Sequence, residues 1–489
     1  MDQLDIILKF LKKRSILITG STGFLGNLFV EKVLRVQPEV QRLFLLIRAA
    51  DSQTAMQRLR DEVIGKELFK TLREMHGTGF EAFLSERIIP VAGSIACENL
   101  GIADSKTREE MLREITVIVN FAATTNFYAR YDAALFTNTL GAKHVLDFAK
   151  KCARPDIVVH VSTAYVCGEK CGLVEEKPFR VGETLNGSSD LDIKQEIDLA
   201  NETLEQLRSR KATNEDEKVA MKELGLTRAR MYGWPNTYVF TKALGEMLIG
   251  DNKENIPVAI IRPTIITSTY KEPFPGWVDG IRTIDHMFIG YGKGKVRCFL
   301  GKSECTLDLI PGDMVVNTII MAMVANANQL SQAIYHVGSS MRNPLNPLKL
   351  KQYGHSYFSN HPWIGRDGKA VMVREPIVFT KMDSFYRYMN THYVLPFKVL
   401  QLLNTVCCQH FGHCSRMNRN INSAIQFVEL YKSYIFFTGT FDDLNTQRLR
   451  AVAREAGAGA DGFNFDPKCI DWDDYFMNTH IPGLVKFAF

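Results

Sequence analysis

The sequence predicts an α/β protein: a doubly wound parallel sheet followed by a mostly helical C-terminal domain. Three observations lead there. Short apolar runs recur through the first half without polar alternation, the pattern of strands buried on both faces. Helical stretches separate these runs, which is the rhythm of βαβ units. Past residue 340 that rhythm stops, and an aromatic-rich, helix-prone segment takes over.

The elements follow in order. Ser15-Ile16-Leu17-Ile18 reads as the first strand, and Asn27 to Val36 as a helix that ends before Pro38. Leu43 to Ile47 is the second strand. Arg87 to Val91 is a weaker third, and its Pro90 favours a sheet edge or a strand end. Val117 to Phe121 is the fourth strand, Asn138 to Lys151 a helix, Ile157 to Val161 the fifth strand and Val258 to Arg262 the sixth. Residues 169–231, rich in Glu, Lys, Asp and Asn, interrupt the rhythm and read as a solvated helical insertion. Residues 341–347, with Asn343-Pro344 and Asn346-Pro347, read as a linker between a sheet-containing domain at 1–340 and a C-terminal domain at 348–489.

Composition narrows the functional classes. The 489 residues allow a large core that needs no disulfide or metal staple. A net charge of +5 is too mild for nucleic acid, and it suits a phosphorylated ligand or an anionic surface. Ten scattered cysteines and a start without a basic signal region point to a reducing compartment. Cys407, His410, His413 and Cys414 crowd too tightly for a zinc finger, so no metal site is assigned. The longest apolar run, Met314 to Ala325, is too short to span a bilayer and carries Asn317 and Thr318. Leu4, Ile7, Leu8 and Leu11 recur at helical spacing beside Lys9, Lys12 and Lys13. A helix packed on the domain is favoured there over an interfacial membrane anchor.

Three clusters carry chemistry. Thr19-Gly20-Ser21-Thr22-Gly23-Phe24-Leu25-Gly26 joins the first strand to the first helix. Glycines at such a junction allow a tight turn, let backbone approach a pyrophosphate and permit close helix–strand packing. The helix start then offers free N–H groups to the phosphates. That loop predicts a Rossmann-like dinucleotide site. At the end of the second strand an acid would hold the ribose of NAD. Arg48 stands there instead, with no acid before Asp51, which favours NADPH.

Tyr238 and Lys242 lie four apart on a helical stretch and so share a face. A neighbouring ammonium would lower the phenol pKa and make Tyr238 a general acid. Ser162 and Thr163 follow the fifth strand, where a hydroxyl can donate to a substrate carbonyl as charge develops on oxygen. Capping of the next helix is the competing use for those hydroxyls.

Taken together, these clusters resemble the extended short-chain dehydrogenase/reductases. Gly23-Phe24-Leu25-Gly26, Leu46-Ile47-Arg48-Ala49, Val161-Ser162-Thr163-Ala164-Tyr165-Val166 and Trp234-Pro235-Asn236-Thr237-Tyr238 narrow the resemblance to the plant-type alcohol-forming fatty acyl-CoA reductases. It continues through Arg262-Pro263-Thr264, Leu309 to Asn317, Phe441-Asp442-Asp443 and Asn445-Thr446, and so covers essentially the whole chain.

The resemblance implies two-step NADPH-dependent reduction of a long-chain acyl-CoA to a primary alcohol, in support of wax or surface-lipid synthesis. Tyr238, Lys242, Thr163 and Ser162 would be the catalytic set. Lys242, Ala122, Arg262 and Pro263 would join the phosphate loop and Arg48 around the cofactor. It also implies peripheral attachment to the cytosolic face of the endoplasmic reticulum, with a cytoplasmic enzyme as the alternative. The competing functions are an acyl-CoA reductase that stops at aldehyde, another extended reductase acting on a sugar nucleotide or steroid, and a non-catalytic NADPH-binding scaffold. Two positions depart from the family pattern. Gly93-Ser94-Ile95 stands where Gly-Asp is usual after the third strand, and Gly26 where many members have alanine.

Overall fold

The computed structural model describes residues 4–399, 414–455 and 462–488. Seven strands form one parallel sheet: β1 (Ser15–Thr19), β2 (Arg42–Ile47), β3 (Ile88–Ala92), β4 (Val117–Asn120), β5 (Ile157–Val161), β6 (Val258–Pro263) and β7 (Gln332–Val337). Their order is β7-β6-β5-β4-β1-β2-β3. All six pairings are parallel. Strand order reverses between β1 and β4, and in open α/β sheets the ligand crevice lies beyond the strand ends at such a point. The residues that pair last there are Thr19 and Asn120. Every residue of β1, β4, β5 and β6 is buried, which explains their unbroken apolar runs.

The expected strands all form, and Pro90 lies in the edge strand β3, where a missing N–H costs least. Three elements differ. The first helix spans Phe24–Val36, beginning three residues before the expected Asn27, because Gly23 serves as its N-cap. β7 was not foreseen. It is the edge strand beside β6, and Gln332 and His336 break up its apolar character. The helix expected from Asn138 is longer. It runs from Tyr131 through a π-helical turn, Leu135–Leu140, into Gly141–Lys151. That turn sits where Asn138 Nδ2 donates to Thr241 Oγ1 (3.0 Å) and Thr139 Oγ1 to the Thr241 carbonyl (2.9 Å).

The charged insertion contains two helices. Ile193–Ser209 starts on the Asp192 side chain, and Asn214–Met231 on a capping box of Thr213 and Asp216. A short strand in it, Gly172–Val174, pairs in parallel with Gly439–Phe441 from the C-terminal region. Cys298–Leu300 likewise pairs with Ile377–Phe379. The stretch expected as a linker is held down: Arg342 pairs with Asp443, and Asn343 Nδ2 donates to the carbonyls of Pro467 and Ile470.

The N-terminal helix, Leu4–Leu11, packs against Gly312–Asn326, with Ile7 and Leu11 fully buried. Among the described residues, no helix is long and apolar enough to cross a membrane. Cys407, His410 and His413 lie outside the described residues.

Candidate active site

The phosphate loop occupies the crevice at the β1 end. Gly20 has φ +68°, and a Cβ there would stand 2.7 Å from the Ala122 backbone nitrogen. A Cβ on Gly26 would run into the Gly20 carbonyl oxygen. The loop is thus built against the β4 exit and against its own helix, and side chains at these glycines would fill the cradle. No side chain caps the helix at Gly23, so its positive end stays available to a ligand. This is the geometry a dinucleotide diphosphate requires.

At the β2 end, Arg48 is exposed and lines the same cavity as the loop. The nearest acid, Asp51, is committed to the N-cap of Ser52–Leu59, where it accepts from Thr54 N at 2.7 Å. Arg58, which sequence reasoning missed, also lines the cavity; it donates to the Arg48 carbonyl and pairs with Glu62. Gly93, Ser94 and Ile95 form the neighbouring wall.

The Trp234–Tyr238 stretch is organised by three bonds. Trp234 Nε1 donates to the Val166 carbonyl (2.8 Å), Asn236 caps the helix Thr237–Asn252 through Val239 N (3.2 Å), and Asn236 Nδ2 reaches Tyr434 Oη (2.9 Å). Tyr238 and Lys242 then lie on one face of that helix and both line the cavity. Thr163 shares a hydrogen bond with Tyr238 and also caps the short helix Ala164–Cys167 through Tyr165 N. Capping and the active-site position therefore coexist. The Ser162 hydroxyl is buried on the same wall without a partner.

The electrostatics differ from the expectation that an ammonium lowers the Tyr238 pKa. Burial pushes Tyr238 up to about 12, against a smaller opposing effect of the Thr163 bond. Burial likewise brings Lys242 down to about 8, against the pull of Glu246. The reason is where the lysine points. Its Nζ donates to the Val161 carbonyl at 2.7 Å and lies 3.2 Å from His160 Nε2. His160 in turn contacts Asn120 at 3.0 Å, and Asn120 contacts Thr19 of the loop at 2.5 Å. No signal in the sequence singled out His160 or Asn120.

One cavity of about 690 Å³ joins these pieces. Of the expected residues, Thr19, Gly20, Thr22, Gly23, Phe24, Leu25, Gly26, Arg48, Ala122, Ser162, Thr163, Tyr238, Lys242 and Pro263 line it. Ser21 and Arg262 do not. Ser21 is fully buried, and Arg262 turns away to a buried ion pair with Glu246 and lies over the Phe179 ring. The far wall is aromatic. The helix Cys414–Ile435 contributes Phe427, Tyr431, Tyr434 and Ile435, and Phe127 stacks between Tyr238 and Tyr434 at centroid distances of 5.7 and 5.0 Å.

Fold and cavity together define a nicotinamide dinucleotide-binding protein of the extended short-chain reductase class. Family profiles described as male sterility protein match residues 18–319, an NAD-binding unit, and residues 392–489. The chain is 51% identical to the alcohol-forming fatty acyl-CoA reductase of Simmondsia chinensis, over 99% of each chain. It is 49% identical to fatty acyl-CoA reductase 1 of Arabidopsis thaliana, over 98% of each. The chain belongs to this family, the fatty acyl-CoA reductases. Among solved structures, a reductase domain of a Mycobacterium tuberculosis non-ribosomal peptide synthetase shares the fold, with TM-score 0.56 and 18% identity over 99% of this chain and 98% of that one. The terminal reductase domain of the myxalamid pathway does so with TM-score 0.55 and 18% identity over 97% and 91%.

Proposed function

We propose that this chain reduces a long-chain fatty acyl-CoA to the primary alcohol with NADPH. One observation carries the reading: a single cavity runs from a diphosphate cradle, past Tyr238, Thr163 and Lys242, to an aromatic wall suited to an acyl chain. NADPH is preferred to NADH because Arg48 and Arg58 stand at the β2 end while Asp51 is spent on a helix cap. The alcohol, rather than another product, is what the full-length relative from Simmondsia chinensis is named for.

A nicotinamide dinucleotide held along the loop at Gly20, Gly23 and Gly26 would supply hydride, once to the thioester carbonyl and once to the aldehyde left when the C–S bond breaks and CoA departs. Tyr238 donates the proton that the carbonyl oxygen takes up. Thr163 orients that phenol, and the unpartnered Ser162 hydroxyl offers the oxyanion a second donor. Lys242 has three N–H groups as an ammonium. Val161 and His160 anchor two of them, which leaves the third for the cavity. The C-terminal region, taken as a domain of its own at 348–489, supplies the acyl wall. Peripheral membrane attachment is supported by a substrate and a product that both partition into membranes, and the endoplasmic reticulum is the location the family resemblance implies.

The test is product chromatography with purified chain, NADPH and palmitoyl-CoA. Hexadecanol should accumulate, with two NADPH consumed per alcohol. Hexadecanal as the end product, or equal turnover with NADH, would contradict the corresponding part of the reading.

A further inference from the structure

Among the described residues, Arg282 forms no ion pair. Its segment lies over the first turn of the helix Phe24–Val36: Trp277 stacks on the Phe24 ring at 5.2 Å, and the Arg282 guanidinium sits 4.8 Å from the centre of the same ring. The backbone N–H of Arg282 donates to Asp285 Oδ2 (3.0 Å), which fixes the turn. The side chain lines the cavity together with Gly23 and Phe24.

Among the described residues, no carboxylate lies within ion-pair distance of this guanidinium. Two acids, Asp279 and Asp285, act on it electrostatically from beyond that distance. Asp279 pairs with Lys66 at 2.7 Å, and Asp285 accepts from the Arg282 amide through Oδ2 while its Oδ1, 3.3 Å from His480 Nε2, has no hydrogen-bond partner. Burial lowers the Arg282 pKa from the ordinary arginine range. A guanidinium does not deprotonate in a protein, so the charge stays, and the half-buried side chain carries part of its desolvation cost without a paired carboxylate. The contact with Phe24 recovers only part of that cost. A half-buried guanidinium that lines the cavity without an ion-pair partner among the described residues is available to an anionic ligand.

The surroundings specify which anion. The guanidinium and the uncapped N-terminus of Phe24–Val36 meet at the Phe24 ring. Two adjacent electropositive groups match a ligand with two adjacent negative charges. We propose that Arg282 and the N-terminus of this helix together clamp a diphosphate. The inference rests on the cavity taking a dinucleotide and an acyl-CoA. Both carry a diphosphate, and that shared group is what the clamp recognises.

Binding, not turnover, tests it. NADP⁺, NAD⁺, CoA and 3′-dephospho-CoA are titrated by calorimetry into the wild type, Arg282→Gln and Arg282→Lys. One pair, either the two nicotinamide ligands or the two CoA ligands, should weaken about tenfold or more in Arg282→Gln, equally within the pair, because both members share the diphosphate. Which pair weakens identifies the source, and Arg282→Lys should restore part of the loss. Loss confined to NADP⁺ or to CoA would show that Arg282 reads the extra monophosphate, and would overturn the clamp. So would unchanged binding of all four.

Ligand-free melting separates a structural role. Removing an unmatched cation should leave the midpoint unchanged or raise it, and a fall of several degrees would count against the proposal. If the wild type binds none of the four, the reading of the cavity fails and the clamp with it. If it binds them and Arg282→Gln binds them equally, only the clamp fails.

Discussion

Tyr238 and Lys242 share one helix face, yet burial moves their proton affinities apart, up to about 12 for the phenol and down to about 8 for the ammonium. With the ammonium as the working form, activity should hold below pH 8 and fall as pH rises through it. His160 governs that limb. Burial and the neighbouring Lys242 hold His160 well below the usual histidine range, so it stays neutral and can accept from the lysine. His160→Leu removes an acceptor from a buried ammonium. The Lys242 pKa should then drop further, and the alkaline limb of kcat should move to lower pH. His160→Gln, which keeps an acceptor, should restore much of the profile. A role confined to packing would lower stability and leave the limb in place. None of this was legible beforehand, because the contact joins residues 82 positions apart and a strand histidine more often belongs to the core.

Among the elements, Glu176 joins three at once. It stands at the start of the insertion and accepts from the His336 backbone in β7 (2.8 Å), from the Asn445 backbone (2.5 Å) and from Thr446 Oγ1 (3.3 Å) on the helix Leu444–Glu455. Burial raises its pKa from 4.5 to about 7, although these donors oppose the shift. The folded state therefore holds this proton more tightly than the unfolded state does. The stabilising effect of that proton is complete below pH 4.5 and is lost as pH rises through 7. Glu176→Gln should flatten the difference in thermal midpoint between pH 5 and pH 8 relative to the wild type, and an identical pH dependence would rule the account out. A second buried constellation looks like a nucleophilic triad: Ser268 Oγ lies 3.0 Å from His480 Nδ1, and His480 faces Asp285. Ser268 and His480 are fully buried and the hydroxyl also meets Tyr475 Oη at 3.1 Å, so the group acts in packing. The central strands were readable because each is apolar on both faces. β7 was not, because an edge position relaxes that requirement.

Across the whole molecule, the cavity is closed by residues that sequence order keeps far apart. The loop, Arg48, Thr163, Tyr238 and Lys242 could be read locally, since each sits at a fixed offset from a strand end or a helix turn. Arg58 and Arg282 reach the cavity only through folding, and so does the aromatic wall on Cys414–Ile435. Arg262 shows the converse. Its strand position is as expected, but Glu246 draws its side chain away from the cavity. On the proposed function, the helix Cys414–Ile435 would take part in chain-length selection. Tyr431→Ala should enlarge the wall and move the kcat/KM optimum toward longer acyl-CoAs, and an unchanged optimum across a chain-length series would remove this helix from substrate selection. The central claim is that Tyr238 delivers the proton in a cavity that binds the nicotinamide cofactor independently of it. Tyr238→Phe, assayed for fatty alcohol from palmitoyl-CoA alongside NADPH affinity, tests this most directly. The account predicts alcohol formation lost with NADPH binding within about twofold of wild type; near-normal alcohol formation in that variant would contradict it.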